Sequence, residues 1–141
     1  DLSKYADPHV WGDPQLWAKA IKPVVDALSK ADPANADYYK KRGEVYILGL
    51  QKLNEWSKLR LAEIPADHRV LVTSHDAFMY FSKAYNLEVR AIDGLSPDDK
   101  AGPKKVRELI QFIKDRKLKM IFPAIFHLTQ GVMREIALCF T

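Results

Sequence analysis

Cysteine is nearly absent from this 141-residue chain: Cys139 is the single one, which excludes an internal disulfide and any cysteine-based zinc cluster. Long apolar runs are lacking too. No stretch reaches the ~18 apolar residues that a membrane span needs, so insertion into a bilayer is not expected. The chain opens on Asp1 with neither Met nor a signal sequence, and it is read as a processed or excised piece of something longer. No glycine-rich loop follows an apolar run, which removes both common phosphate cradles. No Gly-x-Ser-x-Gly elbow is present for a serine hydrolase, and Cys139 sits in the apolar run "IALCF", where packing is a better use for it than nucleophilic attack. Catalysis is therefore not expected.

An excess of one charge is lacking as well. Lys and Arg number 22 against 18 Asp and Glu, and the basic groups "KKR" (40–42), "KKVR" (104–107) and "KDRKLK" (114–119) lie among acids on solvated helix faces. No recognition-helix or RNA-binding signature accompanies them, so a nucleic-acid partner is not expected. What the chain does have is 48% hydrophobic side chains, enough for a single compact domain that buries roughly two-thirds of the unfolded chain's surface.

The apolar pattern divides that domain into a helical entry (1–64) and a βα lobe (65–141). "DPQLWAKAIKPVVDALSKA" has Asp13 as N-cap and Pro14 at the first helical position, with Trp17, Ala20, Ile21, Val24 and Leu28 on one face. Pro23 is expected to kink it. After "ADPAN" a second helix is predicted from about Ala36 to Ile64, slightly weakened by Gly43 and Gly49. It carries Tyr39, Tyr46, Leu50, Leu53, Leu61 and Ile64 on one stripe and Tyr38, Val45, Trp56 and Leu59 on another. Apolar on two sides and about 40 Å long at 1.5 Å per residue, it reads as a connecting spine.

From Pro65 the pattern changes to short apolar runs, predicting strands near 69–74, 87–92, 119–125 and 136–140, with helices at Ala77–Tyr85, Pro103–Arg116 and about Thr129–Glu135. The Pro103 helix turns Val106, Leu109, Ile110 and Ile113 one way and its charges the other. Strands alternating with helices give an α/β fold with a parallel four-stranded sheet, preceded by the two long helices. Pro123 belongs at a strand end or sheet edge, since it has no N–H for a central ladder.

In such sheets, ligand groups gather outside the carboxyl ends of the strands. "RVLVTSHDAFMYFSKAY" ends its apolar run on His75 and Asp76; Asp93 ends the second run and His127 follows the third. His68 lies at the opposite end, a surface position. A cluster of His and carboxylate at one edge offers nitrogen and oxygen ligands to a divalent ion, or acid–base groups, while His75 could equally be no more than a cap on the following helix.

"DPHVWGDPQLW" (7–17), followed later by "VLVTSHDAFMYFSKAYNLEV", resembles the metal-binding solute-binding proteins of bacterial ABC importers, the zinc- and manganese-type family also called TroA-like or ZnuA-like. The likeness runs from about Asp7 to Phe122. It implies two βα lobes joined by one long rigid helix with a metal between them, of which this chain holds one lobe and the spine. By the same resemblance His9 and His75 match two of the family's ligand histidines, with Zn²⁺ or Mn²⁺ as the ion and a membrane permease as the partner on the periplasmic or extracellular side. Asp7 and Asp76 are candidate acceptors that fix the imidazole tautomers, and Asp93 and His127 are candidate additional ligands or supports.

The sequence also departs from the family. A first histidine and a final aspartate ligand fall outside the chain. "PAIFHLTQ" stands where members usually continue into Glu-Ser-Ser, Met79 stands where glycine is common, and "REIALCFT" has no family likeness. Two ligands of four leave a tetrahedral ion short, so weak binding is expected, Zn²⁺ ahead of Mn²⁺. The added apolar surface makes a homodimer the expected assembly. The alternative function is a truncated or engineered flavodoxin-like scaffold that self-associates and has lost its metal.

Overall fold

The computed structural model describes residues 7–95 and 100–123, together with Ile136. The chain divides into two compact units, one of His9–Glu63 and one of Asp1–Pro8 with Ile64–Thr141.

The first unit is an antiparallel pair of helices, α1 (Pro14–Ala31) and α2 (Ala36–Ala62), packed along each other. The Asp13 carboxylate accepts from the Gln15 and Leu16 amides at 2.8 and 3.3 Å, satisfying two of the donors a helix start leaves over. α1 runs through Pro23 without ending there. Both Pro23 and Lys19, whose carbonyl loses its intrahelical donor, are exposed, so water can take the missing bond's place. The reversal between the helices is tied by Asp32, whose Oδ2 accepts from Asn35 Nδ2 at 2.8 Å and from the Tyr39 hydroxyl at 2.9 Å.

α2 stops at Ala62, short of Ile64, and buries Gly43, Leu50 and Asn54. Its second stripe stays in solvent: Tyr38, Val45, Trp56 and Leu59 are 60, 62, 60 and 71% exposed. The other stripe is covered only in part: Leu50 is buried, whereas Leu53 is 46% exposed. Tyr46, half in water, receives the Trp17 indole N–H at 3.3 Å. Gly43 marks the close approach. A Cβ there would stand 2.6 Å from Val25 Cγ2 and 3.6 Å from Ile21 Cγ2.

The second unit is the α/β one. β1 (Val70–Thr73) pairs in parallel with β2 (Glu88–Ala91), Val70 opposite Glu88 through Thr73 opposite Ala91. On the other side of β1 the Phe122 amide donates to Val72 O at 2.8 Å, a parallel bridge to the third predicted run. β1 is therefore central, with order β2–β1–Phe122. α3 (Met79–Tyr85) joins β1 to β2, and α4 (Pro103–Asp115) follows β2. α3 begins two residues later than expected and ends on Asn86 at φ 54, a left-handed position that Asn tolerates.

The core is built on one face of the sheet. Val72, Ile92, Leu109, Ile113, Leu118 and Ile136 are buried together, with Val70, Ala101, Val106, Ile110, Phe112 and Ile121 packed around them. The amphipathic face read for α4 is the face that packs. Pro123 directly follows the bridge at Phe122. The expected fourth strand, 136–140, is corrected at its one described residue: Ile136 is helical and fully buried. A five-residue apolar run does not by itself separate a strand from a helical turn; residues 137–140 lie outside the described residues. The predicted helix at Thr129–Glu135 and the strand residues beyond Pro123 lie outside the described residues.

Two outcomes follow for the helical pair. Gly43→Ala gains about 1 kcal/mol of helix propensity but overpacks against a β-branched, single-rotamer Val25, which costs about 1–3 kcal/mol. A net loss in urea unfolding is expected, whereas Gly49→Ala, whose Cβ meets nothing within 4 Å, gains roughly 0.5–1 kcal/mol. Equal stabilisation by both substitutions would show that the helices are not in contact at Gly43.

The amide of Asn35, and after it the Tyr39 hydroxyl, hold the Asp32 carboxyl below its ordinary pKa. A depressed folded pKa contributes stability above the unfolded value, lost as pH falls through the folded one. Asp32 is partly open to solvent, so the contribution is small. NMR titration of the Asp32 carboxyl carbon is expected to show its pKa rising in Tyr39→Phe and rising further in Asn35→Ala.

Candidate metal centre

The carboxyl end of β1 is where the chain turns from one side of the sheet to the other: it leaves through α3 to β2, and from β2 passes through α4 to Phe122 on the opposite side. A crevice outside the strand ends at such a reversal is the usual ligand position in open parallel sheets. His75 and Asp76 stand there, both half-buried, directly after the fully buried Thr73 and Ser74.

Backbone pairing continues past the ends of the strands and holds this turn. Ile92 N donates to Thr73 O at 3.1 Å and Asp93 N to Ser74 O at 2.9 Å, and Asp76 N donates to Gly94 O at 3.2 Å. The Thr73 hydroxyl adds a bond to His75 O at 3.0 Å. His75 is thus bracketed: the residues on both sides of it are fastened to the segment leaving β2, and its own carbonyl is capped. Thr73 was not read from the sequence as part of the site. The signal for it is a pair of small hydroxyl residues closing an apolar run, where a purely structural strand would continue with Val or Ile.

Asp93 is 1% exposed, and its carboxylate is engaged. Oδ1 accepts from Ala101 N at 3.0 Å, and Oδ2 lies 3.5 Å from Lys100 Nζ. Beside it a cavity of about 510 Å³ is lined by Asp76, Arg90, Asp93, Lys105, Glu108 and Phe112, among others. Its charges are mixed, and Arg90 is already committed: it donates to Glu88 Oε1 at 2.6 and 2.9 Å and lies over the Phe112 ring, which Arg116 also covers.

The other candidates are spread more widely. His9 belongs to the helical unit. It precedes the short 3-10 turn Val10–Gly12, accepts from Gly12 N at 3.1 Å through its carbonyl, and meets the Trp11 ring edge-on at 5.3 Å. Asp7, half-buried, belongs with His75 to the α/β unit. His127 lies outside the described residues. His68 is on the surface beside Asp67, as expected, with Nδ1 3.0 Å from Oδ1. That contact holds the Asp67 carboxyl below its ordinary range. Among the described residues no three His, Cys, Asp or Glu side chains gather in a metal-holding group, and no described helix is long and apolar enough to cross a membrane. The donors do suit a divalent ion chemically, since His75 is a partly accessible imidazole on a braced turn with a carboxylate next to it.

A family model described as the periplasmic zinc-uptake complex component A, ZnuA, matches residues 2–135. The manganese-binding lipoprotein MntA of Bacillus subtilis is 40% identical over 119 residues, 84% of this chain and 39% of that protein. The zinc-binding protein TroA of Treponema pallidum is 41% identical over 116 residues, 82% of this chain and 38% of that protein. The solved TroA structure superposes with a TM-score of 0.85 at 38% identity, covering 94% of this chain and 48% of that one. Fe(III)-bound YtgA of Chlamydia trachomatis superposes at 0.87 with 26% identity, covering 94% and 50%. The chain thus spans about two-fifths of the curated relatives and half of the solved chains.

The bracket around His75 makes its own prediction. Thr73→Val keeps the side chain's shape and removes the hydroxyl donor, which is expected to cost about 1 kcal/mol in urea unfolding. Unchanged stability would show that the bond to His75 O contributes nothing.

Proposed function

The chain belongs to the ZnuA family of periplasmic zinc-uptake components, and from that premise we propose that it is part of an extracytoplasmic receptor that carries a divalent metal to an ABC permease. The ion is cargo here, bound and then released, and its identity within the set named for the relatives is zinc, manganese or iron(III). The observation that carries this reading is His75, held at the carboxyl end of the central strand by bonds on both sides. A binding protein needs a ligand fixed in place before the ion arrives, and the turn supplies that.

His75 and His9 are the proposed ligands. Neutral imidazoles favour Zn²⁺ over Mn²⁺ in the usual divalent order. Asp76, and Asp7 as acceptor toward an imidazole N–H, are the proposed supports; His127 is a proposed additional ligand. Two imidazoles fill half of a tetrahedral shell, so the chain alone is a weak binder. Either a second copy, in a homodimer, or the length of the relatives that it does not span would complete the shell. The proposed role is transport rather than catalysis, in keeping with the relatives' names as metal-binding proteins. The site of action is the periplasmic or extracellular face, in keeping with the relatives' names as lipoproteins and periplasmic proteins.

Calorimetric titration of the full chain tests this. Zn²⁺ is expected to bind more tightly than Mn²⁺, in the micromolar range or weaker, and His75→Ala is expected to reduce Zn²⁺ affinity at least tenfold. Nanomolar binding that survives His75→Ala would place the site elsewhere.

A further inference from the structure

Asp93 is a buried carboxylate with no part in the hydrophobic core, at a position where an apolar side chain would avoid the cost of taking a charge out of water. What offsets that cost is visible in its contacts. Oδ1 receives the Ala101 amide at 3.0 Å, and the Lys100 ammonium stands 3.5 Å from Oδ2. Ala101 is itself anchored, packed against the core cluster just before α4. The carboxylate therefore fastens the segment leaving β2 to the entry of α4.

That segment is the one that brackets His75. The Asp93 amide donates to Ser74 O at 2.9 Å, and the Gly94 carbonyl accepts from Asp76 N at 3.2 Å. Residues 93 and 94 thus hold the residues immediately before and after His75, and the Asp93 side chain holds residues 93 and 94. We infer that Asp93 is a positioning residue: a buried latch that fixes the His75 turn by pinning its bracket to Ala101, instead of a metal ligand itself. Its carboxylate is directed into the protein's own backbone, and rigidity of the turn is its contribution to the site. Reducing the motion of a ligand before the ion arrives raises affinity by removing an ordering cost from binding. This inference rests on the reading of His75 as a ligand.

The test uses two readouts on the full chain, one of which needs no metal. Amide hydrogen exchange followed by NMR reports the Asp76 N–H directly. In Asp93→Ala it is expected to exchange at least tenfold faster, while the Glu88 amide, bonded to Arg69 O at 2.8 Å at the far end of the β1–β2 pairing, keeps its wild-type rate. Calorimetry with Zn²⁺ is expected to show affinity falling at least tenfold in the same variant. Asp93→Asn keeps an oxygen acceptor for Ala101 N, so it is expected to stay within about threefold of wild type in both measurements; if Asp93→Ala does not fold, Asp93→Ser, which keeps a small polar group but is too short to hold Ala101 N as the carboxylate does, carries the same expected losses. Asp76 exchange as fast in Asp93→Asn as in an unbracketed turn overturns the latch. So does an Asp93→Ala chain that retains Asp76 protection, or one that loses protection without losing Zn²⁺ affinity. If His75→Ala leaves Zn²⁺ affinity untouched, the reading of His75 as a ligand fails instead, and the exchange rates alone decide whether the latch exists.

Discussion

The constraint on which the α/β unit depends is the burial of Val72 between two parallel partners. Its strand is paired on one side with β2 and on the other with Phe122, and its side chain is fully covered by α4 and the residues around it. A central strand cannot shift register without exposing its apolar face. Once Val72 is fixed, the positions of Thr73, Ser74 and His75 beyond it follow, because pairing continues for two residues after the strand. The polar turn is thus placed by an apolar contact a few residues before it, and the same contact sets which edge of the sheet collects the candidate ligands.

Much of this was legible in local sequence. The start of α1 was readable because its signal, Asp13 followed by Pro14, acts within three residues, and α4 because Val106, Leu109, Ile110 and Ile113 recur at helical spacing against charged neighbours. The order of strand, helix and strand from Val70 to Ala91 followed from apolar runs separated by a short amphipathic segment. His75 and Asp76 were readable as an edge pair because an apolar run stops on them.

The parts that were not legible depend on partners distant in the chain. Nothing local marks Asp93 as a residue whose carboxylate reaches Ala101, since an aspartate after a strand is equally suited to a ligand, a cap or a solvated turn. Thr73 reads as a strand residue, and it is one; its hydroxyl bond to His75 O depends on how the turn closes. Ile136 shows the other limit. Its run is too short for periodicity to separate helix from strand, and the residue itself is helical.

On the reading proposed for His75, rigidity of its turn is what the α/β unit contributes to binding. An imidazole held still before the ion arrives removes an ordering cost that binding would otherwise have to meet. A cargo site also has to let go, and a ligand fixed in advance raises affinity without adding further ligands that would slow release. The turn is held by backbone bonds to Ser74 and Asp76 and a hydroxyl bond to the His75 carbonyl, none of which uses a ring nitrogen that the ion would need.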